Sequence, residues 1–204
     1  RIAPAWPVIP PPLTVVLTSN FSLSEVNSKG CFTIIWAVFL PKNLSKGLLF
    51  TDIFPDPGLN GGGWHVHKQG GKLNTHLDYS LHPKLSLQRK INIIIYLNSN
   101  WEKDWGGSLG LWGNESSKKP GDLEKEIEPI FNRAIIFDTT CNSWHGLPQP
   151  ITCPEGQLRK SLAIYYLCEP SKNVDVRGKA LFAPTEEQKK DKSVLDLIKK
   201  RSSI

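Results

Sequence analysis

The sequence predicts a mainly β protein, an all-β sandwich or barrel, and three observations support this prediction. Short apolar runs rich in β-branched residues alternate with turns that contain glycine or proline. Little of the chain between residues 48 and 167 shows a helical period. The 204 residues suit one domain with extensions, and a hydrophobic content of 39% is enough to build a core.

The strongest strand pattern lies at residues 89–98. Ile91, Ile93 and Ile95 share one face of this strand, while Asn92 and Tyr96 lie on the other. An apolar face packs on a core, so we expect Asn92 and Tyr96 to look into a lined cavity. Further strands are predicted at residues 48–54, 108–112, 134–137 and 159–167.

Two flanking regions differ from this central part, which we predict to be a domain at residues 47–170. Residues 1–46 form a proline-containing extension of unclear structure, and their apolar run at 31–40 suits either a buried strand or a short helix. Residues 171–204 carry nine Lys or Arg and five Asp or Glu. We predict a basic, partly helical tail there, with an exposed loop inside the domain at residues 114–122.

The charge and cysteine pattern excludes several classes of protein. The net charge of +6 resides mostly in the tail, which argues against a nucleic-acid groove on the domain. The longest apolar run is too short to span a bilayer, so no membrane partner is expected. No two of the four cysteines are spaced as C-x-x-C, so we expect no structural zinc site. We expect a reducing, cytoplasmic setting.

His76 and Asp78 are the first candidate metal ligands. Alternation along a strand directs both side chains to the same face. A second histidine, His145, follows sixty-seven residues after Asp78, and Arg159 lies fourteen residues further on. Two histidines and one carboxylate on one face of a metal leave its other positions open, which suits non-haem Fe(II) oxygen chemistry.

His65 and His67 are the alternative pair. This His-x-His also directs two imidazoles to one strand face, as in a cupin-like metalloenzyme. A cupin would add a glutamate a few residues later, whereas Lys68, Gln69, Gly70 and Gly71 follow here. We therefore interpret His65 and His67 as cavity-wall or structural residues.

The combined pattern resembles the 2-oxoglutarate- and Fe(II)-dependent dioxygenases, and within them the prolyl 4-hydroxylase-like branch. The resemblance covers about residues 56–167. It rests on segments in the family's order: His76-Leu77-Asp78, Asn92 to Asn98, Trp105-Gly106-Gly107, His145 and Arg159-Lys160-Ser161.

The resemblance implies a double-stranded β-helix, or jelly roll, with Fe(II) held by His76, Asp78 and His145. It implies that Arg159 and Tyr96 bind the distal carboxylate of 2-oxoglutarate, with further contacts from Ser161 and Asn92. This chain departs from the family at one position. Relatives often carry a cosubstrate-facing tyrosine before the Fe-binding strand, whereas the corresponding residues here, 65–67, are His, Val and His.

The implied reaction uses O2, converts 2-oxoglutarate to succinate and CO2, and hydroxylates a substrate. Ascorbate is a further expected reductant. The substrate is a protein prolyl residue or a small molecule, chosen by loops such as residues 80–88 and 114–126. The alternatives are an inactive β-sandwich binding module and the cupin-like enzyme that uses His65 and His67.

Overall fold

The structure is a computed structural model that describes residues 14–18, 53–116, 118–139 and 143–202, with the backbone alone at 14–18 and 201–202. The apolar run at 31–40 and nearly all of the strand predicted at 48–54 lie outside these ranges. None of the helices within them is both long and apolar enough to cross a bilayer.

The described residues form eleven strands and one α-helix. The helix, α1, is Lys192–Ser202, and single 3-10 turns lie at Lys103–Trp105 and Gln188–Lys190. The strands are β1 (Thr14–Thr18), β2 (Phe54–Pro55), β3 (Gly63–His67), β4 (His76–Leu77), β5 (Gln88–Tyr96), β6 (Leu109–Ser116), β7 (Lys119–Ile127), β8 (Arg133–Asp138), β9 (His145–Gly146), β10 (Arg159–Cys168) and β11 (Leu181–Phe182).

All of these strands pair antiparallel in two sheets. The larger sheet has the order β1-β8-β5-β10-β2, and β3 pairs with the same side of β10 as β2. The smaller sheet has the order β11-β4-β9-β6-β7. The predicted mainly β jelly roll with a flanking helix is therefore confirmed.

A buried apolar layer joins the two sheets. Leu109 and Ile127 of the smaller sheet pack in one cluster with Ile94, Tyr96, Ile135, Phe137 and Ala163 of the larger sheet. Ile91 and Ile93 pack in a separate cluster on the opposite face of the larger sheet. This alternation confirms the two faces predicted for β5, and it directs Asn92 and Tyr96 into the interior between the sheets.

The prediction of an exposed loop at residues 114–122 is wrong. The hairpin of β6 and β7 continues through this region, with Asn114 opposite Pro120 and Ser116 opposite Lys119. Most side chains at this end of the hairpin are exposed on both faces, so the sequence lacks the apolar alternation that marks a strand.

Both flanking regions contribute strands to the sheets. β1 pairs with β8 at one edge of the larger sheet, and β11 pairs with β4 beside the first candidate histidine. The domain boundaries at residues 46 and 170 stay predictions.

Candidate active site

His76, Asp78 and His145 come together in the interior. β4 pairs with β9 so that His76 lies directly opposite His145, and Asp78 follows β4. One possible ligand atom from each of the three side chains lies within 4.8 Å of the others. All three residues are buried, at 4–7% exposure. The fold brings these side chains together although His145 lies sixty-seven residues after Asp78 in the sequence.

A backbone carbonyl fixes each imidazole. His76 Nδ1 lies 2.8 Å from the carbonyl oxygen of Asn74, and His145 Nδ1 lies 2.7 Å from that of Ser143. A carbonyl only accepts, so we assign the proton of each ring to Nδ1, which leaves the lone pair on Nε2. The Nε2 atoms lie 3.8 Å and 3.7 Å from the two oxygens of Asp78.

The surroundings keep His76 and Asp78 in the protonation states that bind metal. Burial and the neighbouring His145 lower the pKa of His76 to about 4, so its ring is neutral at pH 7. Burial opposes ionisation of Asp78, yet its pKa lies below the ordinary value because the imidazoles, Arg89 and Tyr165 favour the anion. Metal ligands of these types must be deprotonated to bind.

The donor set fits Fe(II). Two imidazoles on neighbouring short strands and one carboxylate just after the first of them make the three-ligand face that non-haem iron sites use. Within the part of the chain that the structure describes, this is the only group of three or more His, Cys, Asp or Glu side chains close enough to share an ion. His65 and His67 lie outside the group.

Arg159 begins β10 on the same inner face of the larger sheet. Its Nε donates to the carbonyl oxygen of Gly107 at 2.6 Å, and its guanidinium carbon lies 5.1 Å from the ring centre of Tyr96. Ser161 lies directly opposite Tyr96 in the register of β5 and β10. The predicted Arg159, Tyr96 and Ser161 therefore form one cluster, which we call the arginine wall.

Gly107 makes this cluster possible. It has a φ of +72°, which favours glycine, and a Cβ at this position would lie 3.0 Å from Arg159 Cδ. A side chain would therefore displace the arginine. The Trp-Gly-Gly turn thus gives the guanidinium room and the carbonyl that orients it.

Tyr96 is a buried donor beside this arginine. Burial raises the pKa of its phenol to about 12, although Arg159 opposes the shift, so the hydroxyl stays protonated at neutral pH. Among the described residues the hydroxyl oxygen has no hydrogen bond of good geometry. Burial also lowers the pKa of Arg159. Buried donors normally have acceptors, so this pair suits an anionic ligand.

Asn92 lies further along the same face of β5. It is fully buried opposite Tyr165, and its Oδ1 has no hydrogen-bond partner within the described ranges. Tyr165 in turn contacts Asp78. Asn92 thus lies between the arginine wall and the carboxylate of the metal cluster.

His65 and His67 lie on β3, which pairs with the edge of β10 opposite to β5. His67 lies opposite Arg159 and His65 opposite Ser161 in the register of β3 and β10. Burial, Arg159 and His65 lower the pKa of His67, and its Nδ1 is buried without a partner among the described atoms. Both histidines therefore lie beside the arginine wall, and their interpretation as cavity-wall or structural residues stays a prediction.

Sequence reasoning missed the groups that hold Asp78. Arg89 NH1 lies 3.6 Å from Asp78 Oδ1, and the hydroxyl of Tyr165 donates to Asp78 Oδ2 at 3.1 Å. The available signal was strand alternation, because Tyr165 shares a face of β10 with Arg159 and Ser161. A cation within the buried strand β5 was a second signal.

Comparison with known proteins identifies the family. The family model described as the 2OG-Fe(II) oxygenase superfamily matches residues 62–167 of the 204. The chain belongs to this superfamily. Fe(II), 2-oxoglutarate and O2 are therefore the cofactor and cosubstrates that the family implies.

Several of the similar proteins are named prolyl hydroxylases. Prolyl 3-hydroxylase OGFOD1 of Xenopus laevis is 30% identical over 78 residues, which is 38% of this chain but only 15% of that protein. The chain thus matches a small part of that relative. A prolyl-4-hydroxylase of Pseudomonas putida gives a TM-score of 0.42 at 18% identity, over 63% of this chain and 60% of that one. One from Phytophthora capsici gives 0.44 at 19% identity, over 79% and 49%.

Proposed function

We propose that this chain is a dioxygenase that hydroxylates a substrate while converting 2-oxoglutarate to succinate and CO2. One observation supports this proposal most strongly. The inner face of β10 carries Arg159 at one end and, six residues later, Tyr165 in contact with Asp78. A single strand face thus connects the metal cluster to the arginine wall.

In this proposal His76, Asp78 and His145 hold Fe(II). The bond from each Nδ1 to a carbonyl keeps both Nε2 lone pairs directed toward the carboxylate. The bound iron and cosubstrate supply the oxidising chemistry, in which decarboxylation of 2-oxoglutarate is coupled to insertion of one oxygen atom of O2 into a substrate C–H bond.

Arg159 and Tyr96 bind the distal carboxylate of 2-oxoglutarate. A guanidinium stays charged and presents a planar fork that matches a carboxylate, and the bond to Gly107 holds the fork in place. The protonated phenol of Tyr96 adds a donor beside it. Ser161 is a further donor on the same face, and Asn92 contacts the cosubstrate nearer the metal.

The substrate class we propose is a prolyl residue in a protein. The similarity to a protein named prolyl 3-hydroxylase supports this choice. A small-molecule substrate is the other outcome of the test. We also propose ascorbate as a reductant that restores Fe(II).

The test is turnover of the purified protein with Fe(II), ascorbate, 2-oxoglutarate and proline-containing peptides. We expect succinate to form and a peptide proline to gain the mass of one oxygen atom. Asp78→Ala should abolish both, whereas Trp64→Ala, which changes an outward side chain that is 67% exposed, should retain both. If succinate forms with a small molecule and not with peptides, the prolyl proposal is wrong.

A further inference from the structure

Each oxygen of the Asp78 carboxylate has one imidazole on one side and one further polar group on the other. Oδ1 faces His76 and the NH1 group of Arg89, at 3.8 Å and 3.6 Å. Oδ2 faces His145 at 3.7 Å and accepts the hydroxyl of Tyr165 at 3.1 Å. The carboxylate is therefore held by groups that are not themselves candidate metal ligands.

Two aromatic rings clamp Arg89. Its guanidinium carbon lies 3.3 Å from the ring centre of Tyr79 and 3.3 Å from that of Tyr165. Arg89 NH2 donates to the carbonyl oxygen of Asn60 at 2.6 Å, and the side chain is 1% exposed. A plane held between two rings, with one edge bonded, has a single orientation, and NH1 then lies toward Asp78.

The loop before β3 fixes the other end of this clamp. The Asp56 carboxylate accepts the backbone N–H groups of Gly58 and Asn60 at 2.8 Å and 2.7 Å. The hydroxyl of Tyr79 donates to the carbonyl of Asn60 at 2.7 Å. The carbonyl that receives Arg89 is thus held by its own loop and by the tyrosine that stacks on Arg89.

Gly61 leaves the space that the clamp needs. Its φ is +74°, and a Cβ there would lie 3.1 Å from Arg89 NH2 and 3.6 Å from the ring of Tyr79. A side chain at this position would press on both members of the clamp.

We propose that Arg89 and Tyr165 are positioning residues that hold Asp78 in the orientation in which it binds the metal. This inference rests on the proposed function, since it requires that Asp78 is a metal ligand. Groups that orient a metal ligand in this way typically change metal affinity about 10- to 100-fold when lost.

A lysine cannot replace Arg89 in this arrangement. A lysine ammonium is a point charge without a plane, so it neither fills the space between the two rings nor bonds Asn60 and Asp78 from fixed edges. Arg89→Lys should therefore keep the charge and still lose affinity. This result separates orientation of the carboxylate from simple charge balance.

The experiment measures binding of Co(II), an air-stable substitute for Fe(II), by calorimetry and by the visible spectrum of the bound ion. We expect Arg89→Met to weaken Co(II) binding about 10- to 100-fold and Tyr165→Phe about 10-fold, and both to change the spectrum at saturation. Tyr165→Phe keeps the stacked ring and removes the hydroxyl alone, so it serves even if Arg89→Met fails to fold.

Lys90→Met is the matched control. Lys90 adjoins Arg89 on β5 and pairs with Asp138 at 2.7 Å, so its loss also removes an ion pair from this strand. It should leave the affinity for Co(II) and the spectrum unchanged. If Tyr165→Phe binds Co(II) as the wild type does, with the same spectrum, the positioning inference is wrong. If His76→Ala still binds Co(II) like the wild type, the proposed metal site itself is wrong.

Discussion

The metal cluster and the arginine wall are built in different ways. His76 and His145 lie on β4 and β9, which are strands of only two residues, and they depend on carbonyls two residues earlier in the chain. Arg159 and Tyr96 lie on strands of ten and nine residues whose long register places them. Individual polar contacts thus orient the ligands of the metal cluster, whereas long sheet pairing places the arginine wall and the carbonyl of Gly107 orients its guanidinium.

This difference predicts different sensitivities to substitution. One or two polar contacts orient each member of the metal cluster, and each member is itself a candidate ligand, so replacing one ligand should remove the metal. The arginine wall rests on many backbone bonds and a packed core, so one substitution should weaken cosubstrate binding and leave the fold intact.

The largest expected effect is loss of the metal. His76→Ala, Asp78→Ala and His145→Ala should each abolish Fe(II) binding, because a site with three protein ligands then keeps two. Calorimetry with Fe(II) under anaerobic conditions measures the affinity. The control is His65→Ala, which should retain the metal, and loss of the metal in this variant alone would contradict the ligand assignment.

The second largest expected effect is a loss of folding stability when a core side chain is shortened. Ile135 is fully buried and packs in the same cluster as Tyr96, in the layer that joins the sheets. Ile135→Ala should lower the free energy of unfolding by about 2–5 kcal/mol, because a cavity replaces packed side-chain atoms. Urea denaturation measures the change. Leu123→Ala, at a position 40% exposed, should change it by less than about 0.5 kcal/mol.

Loss of the Arg159 guanidinium should weaken binding of the cosubstrate and leave binding of the metal unchanged. Arg159→Met should weaken 2-oxoglutarate binding by about tenfold or more, since a charge-assisted hydrogen bond contributes about 1.5–3 kcal/mol. Titration of 2-oxoglutarate into the Fe(II)-loaded protein measures the affinity. Fe(II) affinity should be unchanged, and Lys160→Ala, whose side chain is exposed, should bind the cosubstrate normally. Joint loss of metal and cosubstrate would refute the separation of the two regions.

The smallest expected effect follows removal of one hydroxyl. Tyr96→Phe should weaken 2-oxoglutarate binding about 2- to 10-fold, which corresponds to one neutral hydrogen bond of about 0.5–1.5 kcal/mol. The same titration serves here. An effect as large as that of Arg159→Met would mean that the phenol also orients the arginine.

Strand alternation predicted much of the fold, whereas the residues of the arginine wall were expected from the family resemblance. The two faces of β5 and the position of Ser161 two residues after Arg159 follow from a period of two. The candidate ligands were predicted as well, because residue types and their order along the chain indicated a metal.

The contacts that hold Asp78 could not be predicted in the same way. Arg89 reaches Asp78 only because two tyrosines and a loop carbonyl fix its side chain, and those partners lie up to seventy-six residues away in sequence. Strand alternation could place Tyr165 on the inner face, and Arg89 stood out as a cation in a buried strand, but these local patterns do not indicate which residue either side chain contacts. The hairpin through residues 114–122 was missed for the opposite reason, since its exposed side chains give no apolar period.

The measurement that tests this account most directly is the visible charge-transfer absorption of the protein with Fe(II) and 2-oxoglutarate under anaerobic conditions. The account predicts a weak band that is absent in His76→Ala and Asp78→Ala and that requires a higher 2-oxoglutarate concentration in Arg159→Met. A folded wild-type protein that binds Fe(II) and gives no band at any 2-oxoglutarate concentration would contradict it.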